Sequence, residues 1–145
     1  MIIAGTVLQG SEAIFALVNV DENKNFEHIN VEIKKISLGD EQDSSAIHAF
    51  KEAVATFARE NNISVFAIKE RMKIGRMAGG GTTFKMEALI QLVENAECKF
   101  VHANTLASFI KKSDIEMPDS LLSYQKGAYF AAVREASISH IKSNL

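Results

Sequence analysis

The sequence predicts a mixed α/β fold, with residues 1–145 forming one domain around a five-stranded sheet in spatial order 3-2-1-4-5 and helices on both faces. Two observations lead there. The first forty residues hold three strand patterns separated by short polar turns, while the remainder alternates helix-period stretches with short unbroken apolar runs. Consecutive hairpins make an antiparallel meander, and strands joined through helices make parallel crossovers. Right-handed crossovers then bring the fourth strand beside the first.

Each element has its own signal. Residues 2–8 and 13–20 are apolar runs separated by Gln9-Gly10-Ser11-Glu12, which is a hairpin. After the polar turn at 21–25, Ile29, Val31 and Ile33 alternate with Asn30, Glu32 and Lys34 as a half-buried strand does. Ile36 and Leu38 fall on the opposite parity, so a bulge is expected at Lys35 within a third strand over 29–38. Ala46, Ile47, Phe50, Ala53, Val54, Phe57 and Ala58 then recur at three- and four-residue spacing, giving a helix of about 17 residues capped by Asp43 or Ser44 and ended by Asn61-Asn62. Val65–Ile68 is an unbroken apolar run, the pattern of a strand buried on both faces. A second helix is expected over 83–94 with a stripe of Phe84, Ala88, Leu89, Leu92 and Val93. A last strand follows at 99–102, then a short helix capped by Asn104 and running to Lys112. Pro118 ends the next loop before a final helix over 120–138 that carries Leu121, Leu122, Tyr129, Ala132 and Val133, with Tyr124, Tyr129 and Phe130 expected in the core.

Composition bounds the function. With 47% hydrophobic and 23% charged residues and a net charge of −2, the chain has the makings of a packed core and little self-repulsion. Cys98 is the one cysteine, so no intramolecular disulfide can form, and a free thiol fits a reducing compartment. The opening Met1-Ile2-Ile3-Ala4-Gly5 lacks a basic leader, and no apolar run reaches the roughly 18 residues of a membrane span. The expected location is the cytoplasm, with no membrane partner.

Charge is distributed unevenly. Between Lys69 and Lys85 lie five basic residues (Lys69, Arg71, Lys73, Arg76, Lys85) and the single acid Glu70, a local +4 that leaves −6 for the other 128 residues of a chain whose total is −2. Gly79-Gly80-Gly81-Thr82 within that stretch runs into a helix N-terminus, where free N–H groups and the dipole favour an anion such as phosphate. It lacks the Gly-Lys-Ser/Thr of a Walker A loop. Arg71, Lys73, Arg76, Gly79, Gly80, Gly81, Thr82 and Lys85 are therefore the candidate phosphate or nucleic-acid contacts. The bland alternative is a tight turn with a solvated basic face. Glu70 closes the fourth strand, and ligand sites in open sheets gather beyond the carboxyl ends of the parallel strands, where Gln9-Gly10, His102 and Asn104 would meet it. Glu70 is thus the candidate metal ligand and catalytic acid, against the simpler reading that it pairs with Arg71 or Lys73. His102 reads as a structural histidine, and Cys98 has no partner that would make it a nucleophile.

The strand order, the acid ending the fourth strand and the final helix together resemble the RNase H-like fold, in particular its RuvC-type Holliday-junction resolvase branch. The run Ile68-Lys69-Glu70-Arg71-Met72-Lys73-Ile74-Gly75-Arg76-Met77-Ala78-Gly79-Gly80-Gly81, continuing to Leu92, resembles a bacterial family defined only as a domain of unknown function; Gly5–Gly10 matches it less well. The RNase H-like resemblance implies three or four carboxylates holding two Mg²⁺ or Mn²⁺ ions, from the first strand, the end of the fourth and the last helix. Glu70 fits the second position. Val7 stands where the first acid is expected, and Gln125–Ala132 offers none before Glu135.

Three functional readings follow. The leading one is a non-catalytic domain that needs no cofactor and binds a phosphate-bearing partner, nucleic acid foremost, through its basic Gly-rich segment. The enzymatic alternative is a divergent metal-dependent nuclease or phosphotransferase using Glu70, assisted by Glu87 or Glu135. The third is a protein-interaction or homodimer module whose interface is the methionines around the glycine loop, Met72, Met77 and Met86, with Met86 expected to pack inward, together with the edge strand 29–38.

Overall fold

The computed structural model describes residues 1–71 and 80–143, with side chains of the last helix described through Ile138. Strand β1 (Ile2–Gln9) pairs antiparallel with β2 (Glu12–Val20), and the two-residue turn Gly10-Ser11 joins them with Gly10 at φ 61°. A positive φ is what a tight hairpin turn demands and what glycine supplies without strain. β2 continues through the Asp21 turn, whose carboxylate accepts from the amides of Asn23 and Asn25, into β3 (Phe26–Ile29). Helix α1 (Ser44–Glu60) is capped by Asp43, whose side chain accepts the Ser45 amide at 2.9 Å. It ends where the Asn61 amide and side chain both return to the Phe57 carbonyl. Then come β5 (Ile63–Lys69), α2 (Gly81–Gln91), β6 (Glu97–Val101), α3 (Ala103–Lys112), a 3₁₀ turn at Ser123–Gln125 and α4 (Lys126–Ser143).

The sheet runs β3-β2-β1-β5-β6, with β1, β5 and β6 parallel to one another. This is the expected 3-2-1-4-5 order with one correction. The third strand is not a bulged run over 29–38 but two short strands, β3 and β4 (Lys35–Ser37), both paired to β2, so the sheet has six strands. The parity change at Lys35 is resolved by leaving the sheet at residues 30–34 and rejoining it. The gap is bridged: the Phe15 amide donates to the Lys34 carbonyl at 2.8 Å, and the buried Gln125 side chain donates to the Phe15 carbonyl at 2.8 Å. Without those partners β2 would carry unpaired backbone groups in the core.

Strand alternation divides the interior in two. Ile3, Ile14, Ala16, Val18, Val65 and Ala67 face α3 and α4, while Ala4, Phe15, Leu17, Phe66 and Ile68 face α1 and α2. Phe15 anchors the second layer, its ring 4.9 Å from Phe57 and 6.1 Å from Phe66. In the first layer α4 crosses the sheet so closely that a Cβ on Gly5 would fall on the Ala128 carbonyl. Among the described residues, no helix is long and apolar enough to cross a membrane.

Three helix expectations are corrected. α2 starts at Gly81 rather than Thr83, and its inward face is Thr83, Met86 and Ile90; Phe84 and Leu92, expected in the core, are 55% and 58% exposed. α3 is capped not by Asn104 but by His102, whose Nδ1 accepts the Asn104 amide at 3.1 Å. In the last segment a 3₁₀ turn precedes the helix, leaving Leu122 and Tyr124 at the surface while Tyr129 and Phe130 are buried as expected. Because nothing but hydrogen fits at position 5, Gly5→Ala should lower unfolding free energy by about 3 kcal/mol or more, the upper end of overpacking costs, measured by urea denaturation.

Candidate functional site

The carboxyl ends of β1, β5 and β6 lie at one end of the sheet. The Glu70 amide donates to the Val101 carbonyl at 2.7 Å, carrying the β5–β6 pairing one residue past β5 and fixing Glu70, half-buried, beside the start of α3. α4 begins at this same end. A Cβ on Gly127 would lie 3.3 Å from Val7 Cγ2, closer than most Cβ contacts, so Val7 and Gly127 are close apolar neighbours where the RNase H-like resemblance implies carboxylates for a pair of divalent ions.

The other acids do not converge on Glu70. Glu87 is committed to Arg71: Arg71 Nε and Glu87 Oε2 are 3.7 Å apart, with both side chains more than four-fifths buried. Arg71 is itself spread over the Phe84 ring, 4.8 Å from its centroid, and its ion pair is with Glu87; Lys73, the other partner expected for Glu70, lies outside the described residues. Glu135 is buried at the opposite end of the sheet, lining a recess with Ser64, Val65 and Lys99 at the amino ends of β5 and β6. From Val65 to Glu70 the strand rises about 3.3 Å per residue, so roughly 16 Å of strand separates the recess from Glu70. Among the described residues no group of three His, Cys, Asp or Glu side chains could hold a metal ion. The side chains at this end do not fit the two-metal centre that the fold implies.

The amino end of α2, the expected phosphate cradle, already faces an anion of this chain. Thr82 Oγ1 donates to Glu41 Oε2 at 3.0 Å, a Cβ on Gly81 would lie 3.5 Å from the same oxygen, and Lys85 Nζ donates to the Glu41 carbonyl at 2.7 Å. Glu41 sits in the polar loop before α1, and nothing in its local sequence marks it. Gly80 is the residue preceding α2, and its carbonyl accepts the Thr83 hydroxyl at 2.8 Å. Lys73, Arg76 and Gly79 lie outside the described residues. His102 is exposed and occupied as a cap.

Cys98 is half-buried on β6, and its thiol is pushed up to about 11, first by loss of hydration and then by the negative charge of Glu87. A thiol with so raised a value stays protonated near neutrality, in keeping with the inert role expected of it. Alkylation by iodoacetamide at pH 7.5 should therefore be slow in the folded protein and fast in urea. The folded rate should climb as pH approaches 11, and Glu87→Gln should move that rise to lower pH.

The homodimer surface expected on the methionines and the strand 29–38 falls partly outside the described residues. That strand is interrupted, Met86 is fully buried, and Met72 and Met77 lie outside the described residues.

Comparison with solved structures agrees with this architecture. RuvC from Thermus thermophilus bound to a Holliday junction substrate superposes with a TM-score of 0.70 at 10% identity, covering 98% of this chain and 96% of that one. A second T. thermophilus RuvC structure gives 0.64 at 8% identity, over 97% and 96%. The fowlpox virus resolvase in complex with Holliday junction DNA gives 0.52 at 18% identity, over 100% and 99%. The chain has an RNase H-like fold of the RuvC type. By sequence it belongs to the family described as protein of unknown function (DUF3010), whose model matches residues 1–135. No curated protein matches it.

Proposed function

We propose that this protein is a nucleic-acid-binding domain that keeps the RNase H-like frame without its two-metal hydrolysis, and that it holds its ligand at the carboxyl end of the parallel strands. The observation that carries this reading is the close approach of Val7 and Gly127 at that end of the sheet. That end of the sheet lacks the acids that would hold metal, and the segment leaving it, residues 69–85, carries +4. Fewer carboxylates also mean less of the repulsion a phosphate backbone would meet there in the absence of metal. The resolvases of the same fold whose structures contain Holliday junction DNA supply the ligand class, branched DNA before other nucleic acids.

The division of labour within the segment follows from Glu41. Because Glu41 engages Thr82 and Lys85, the α2 terminus is a braced junction, and the side chains of Lys69, Lys73 and Arg76 contact phosphate. Arg71 is held by Glu87 and Phe84 just past the end of β5.

Anisotropy titrations with a labelled four-way junction at about 50 mM salt in EDTA test this. Saturable binding is expected, and Lys69→Ala/Lys73→Ala/Arg76→Ala should make the log K against log salt slope shallower by about 3, at about 0.9 per phosphate neutralised. Absence of binding to junction, duplex and single strand alike would refute the proposal. With Mg²⁺ or Mn²⁺ added, no strand cleavage that depends on Glu70 is expected; cleavage abolished by Glu70→Gln in a folded protein would establish the nuclease reading instead.

A further inference from the structure

The surface between α3 and α4 holds a groove of about 510 Å³ lined by Asn104, Thr105, Ser108, Phe109, Lys112 and Arg134. Its chemistry differs from that of the chain as a whole. Two cations and three neutral hydrogen-bonding side chains line it with no acid, on a protein whose net charge is −2. Among the described residues neither Lys112 nor Arg134 has an ion-pair partner. Asn104, Thr105, Ser108 and Lys112 are exposed, so the groove lies open along its length. Phe109 is half-buried, its ring edge-on to Phe130 at 6.5 Å, which makes it an apolar floor rather than a free stacking platform.

The groove is also contiguous with the carboxyl end of the parallel strands. Glu70 is hydrogen-bonded to Val101, His102 follows directly and caps α3 through the Asn104 amide, and Asn104 is the first residue of the groove. A strand leaving the carboxyl end of β5 at Glu70 therefore needs to cross only the end of β6 to enter it.

We infer that the α3–α4 groove is a second contact for the phosphodiester backbone of the same nucleic acid, with Lys112 and Arg134 on phosphates and Asn104, Thr105 and Ser108 on phosphate or sugar oxygens. This rests on the nucleic-acid reading and extends it with a direction. The bound strand runs from the carboxyl end of β5 across β6 and along α3. An open, acid-free groove suits a continuous backbone, where an enclosed pocket would suit a mononucleotide.

The test compares wild type, Lys112→Ala/Arg134→Ala and Lys112→Glu in anisotropy titrations with the four-way junction over a salt series in EDTA. Because the double variant would neutralise two fewer phosphates, its slope should be shallower by about 1.8, at about 0.9 per phosphate on duplex arms. Lys112→Glu, an exposed substitution that leaves the partly buried Arg134 in place, should weaken binding at least about tenfold in low salt while its circular dichroism and melting match wild type. Wild-type binding with an unchanged slope in the double variant and unchanged affinity in Lys112→Glu would overturn the groove assignment and leave the nucleic-acid reading standing. If the double variant does not fold, the Lys112→Glu result decides alone. Failure of wild type to bind any nucleic acid would overturn both.

Discussion

The backbone of α4 rests directly on β1. Gly5 leaves no room for a side chain beneath Ala128, and two residues further along β1 the Val7 side chain closes on Gly127. That contact sets the depth at which α4 lies across the sheet, and the buried run Ala128–Val133 fills one core because of it. It sets the chemistry as well. At the carboxyl end of β1, where the strand, β5 and the first turn of α4 converge, the space is occupied by valine against glycine. A carboxylate at either position would have to lose its hydration against an apolar neighbour, and neither position offers one. The corner where the RNase H-like resemblance implies carboxylates is filled by an apolar pair.

Gln125 ties this arrangement to the far side of the sheet. Its side chain accepts the Leu122 amide and donates to the Phe15 carbonyl, so the residue just before α4 also completes the ladder of β2 where the third strand breaks. One polar side chain, fully buried, thus fixes both the approach of α4 and the gap between β3 and β4. The surroundings of α2 are built outward from this frame by long-range contacts of the same kind: Glu41 with Thr82 and Lys85, and Arg71 with Glu87.

Those contacts mark the boundary of what the sequence reveals. The sheet order was legible because each strand has a two-residue period or an unbroken apolar run, and α1 because seven apolar residues share a helical face between Asp43 and Asn61. Glu70 at the end of β5 and the basic stretch after it were legible for the same local reason. The split of the third strand was not, since the partner that makes it tolerable, Gln125, is 110 residues from Phe15. Nor was the orientation of α2. Its outward Phe84 has the hydrophobicity of a core residue, and tertiary structure brings Arg71 over its ring at the surface. Glu41 resembles any acid in a polar loop until α2 is placed beside it. Glu135 has the right chemistry for a metal ligand and the wrong end of the sheet, a distinction that depends on where along α4 it falls.

The central claim is that this RNase H-like frame binds branched nucleic acid at the carboxyl end of its parallel strands without metal. Titration of an unlabelled four-way junction into ¹⁵N-labelled protein in EDTA, followed by amide chemical shifts, tests it most directly. The account predicts saturable shifts confined to the end of β5, the amides around Glu70 and Arg71, the segment leading into α2 and the α3–α4 groove from Asn104 to Lys112, with the amino ends of β5 and β6 around Ser64 and Glu97 unmoved. Shifts that appear only after Mg²⁺ or Mn²⁺ is added, or that centre on the Glu135 end of the sheet, would contradict it.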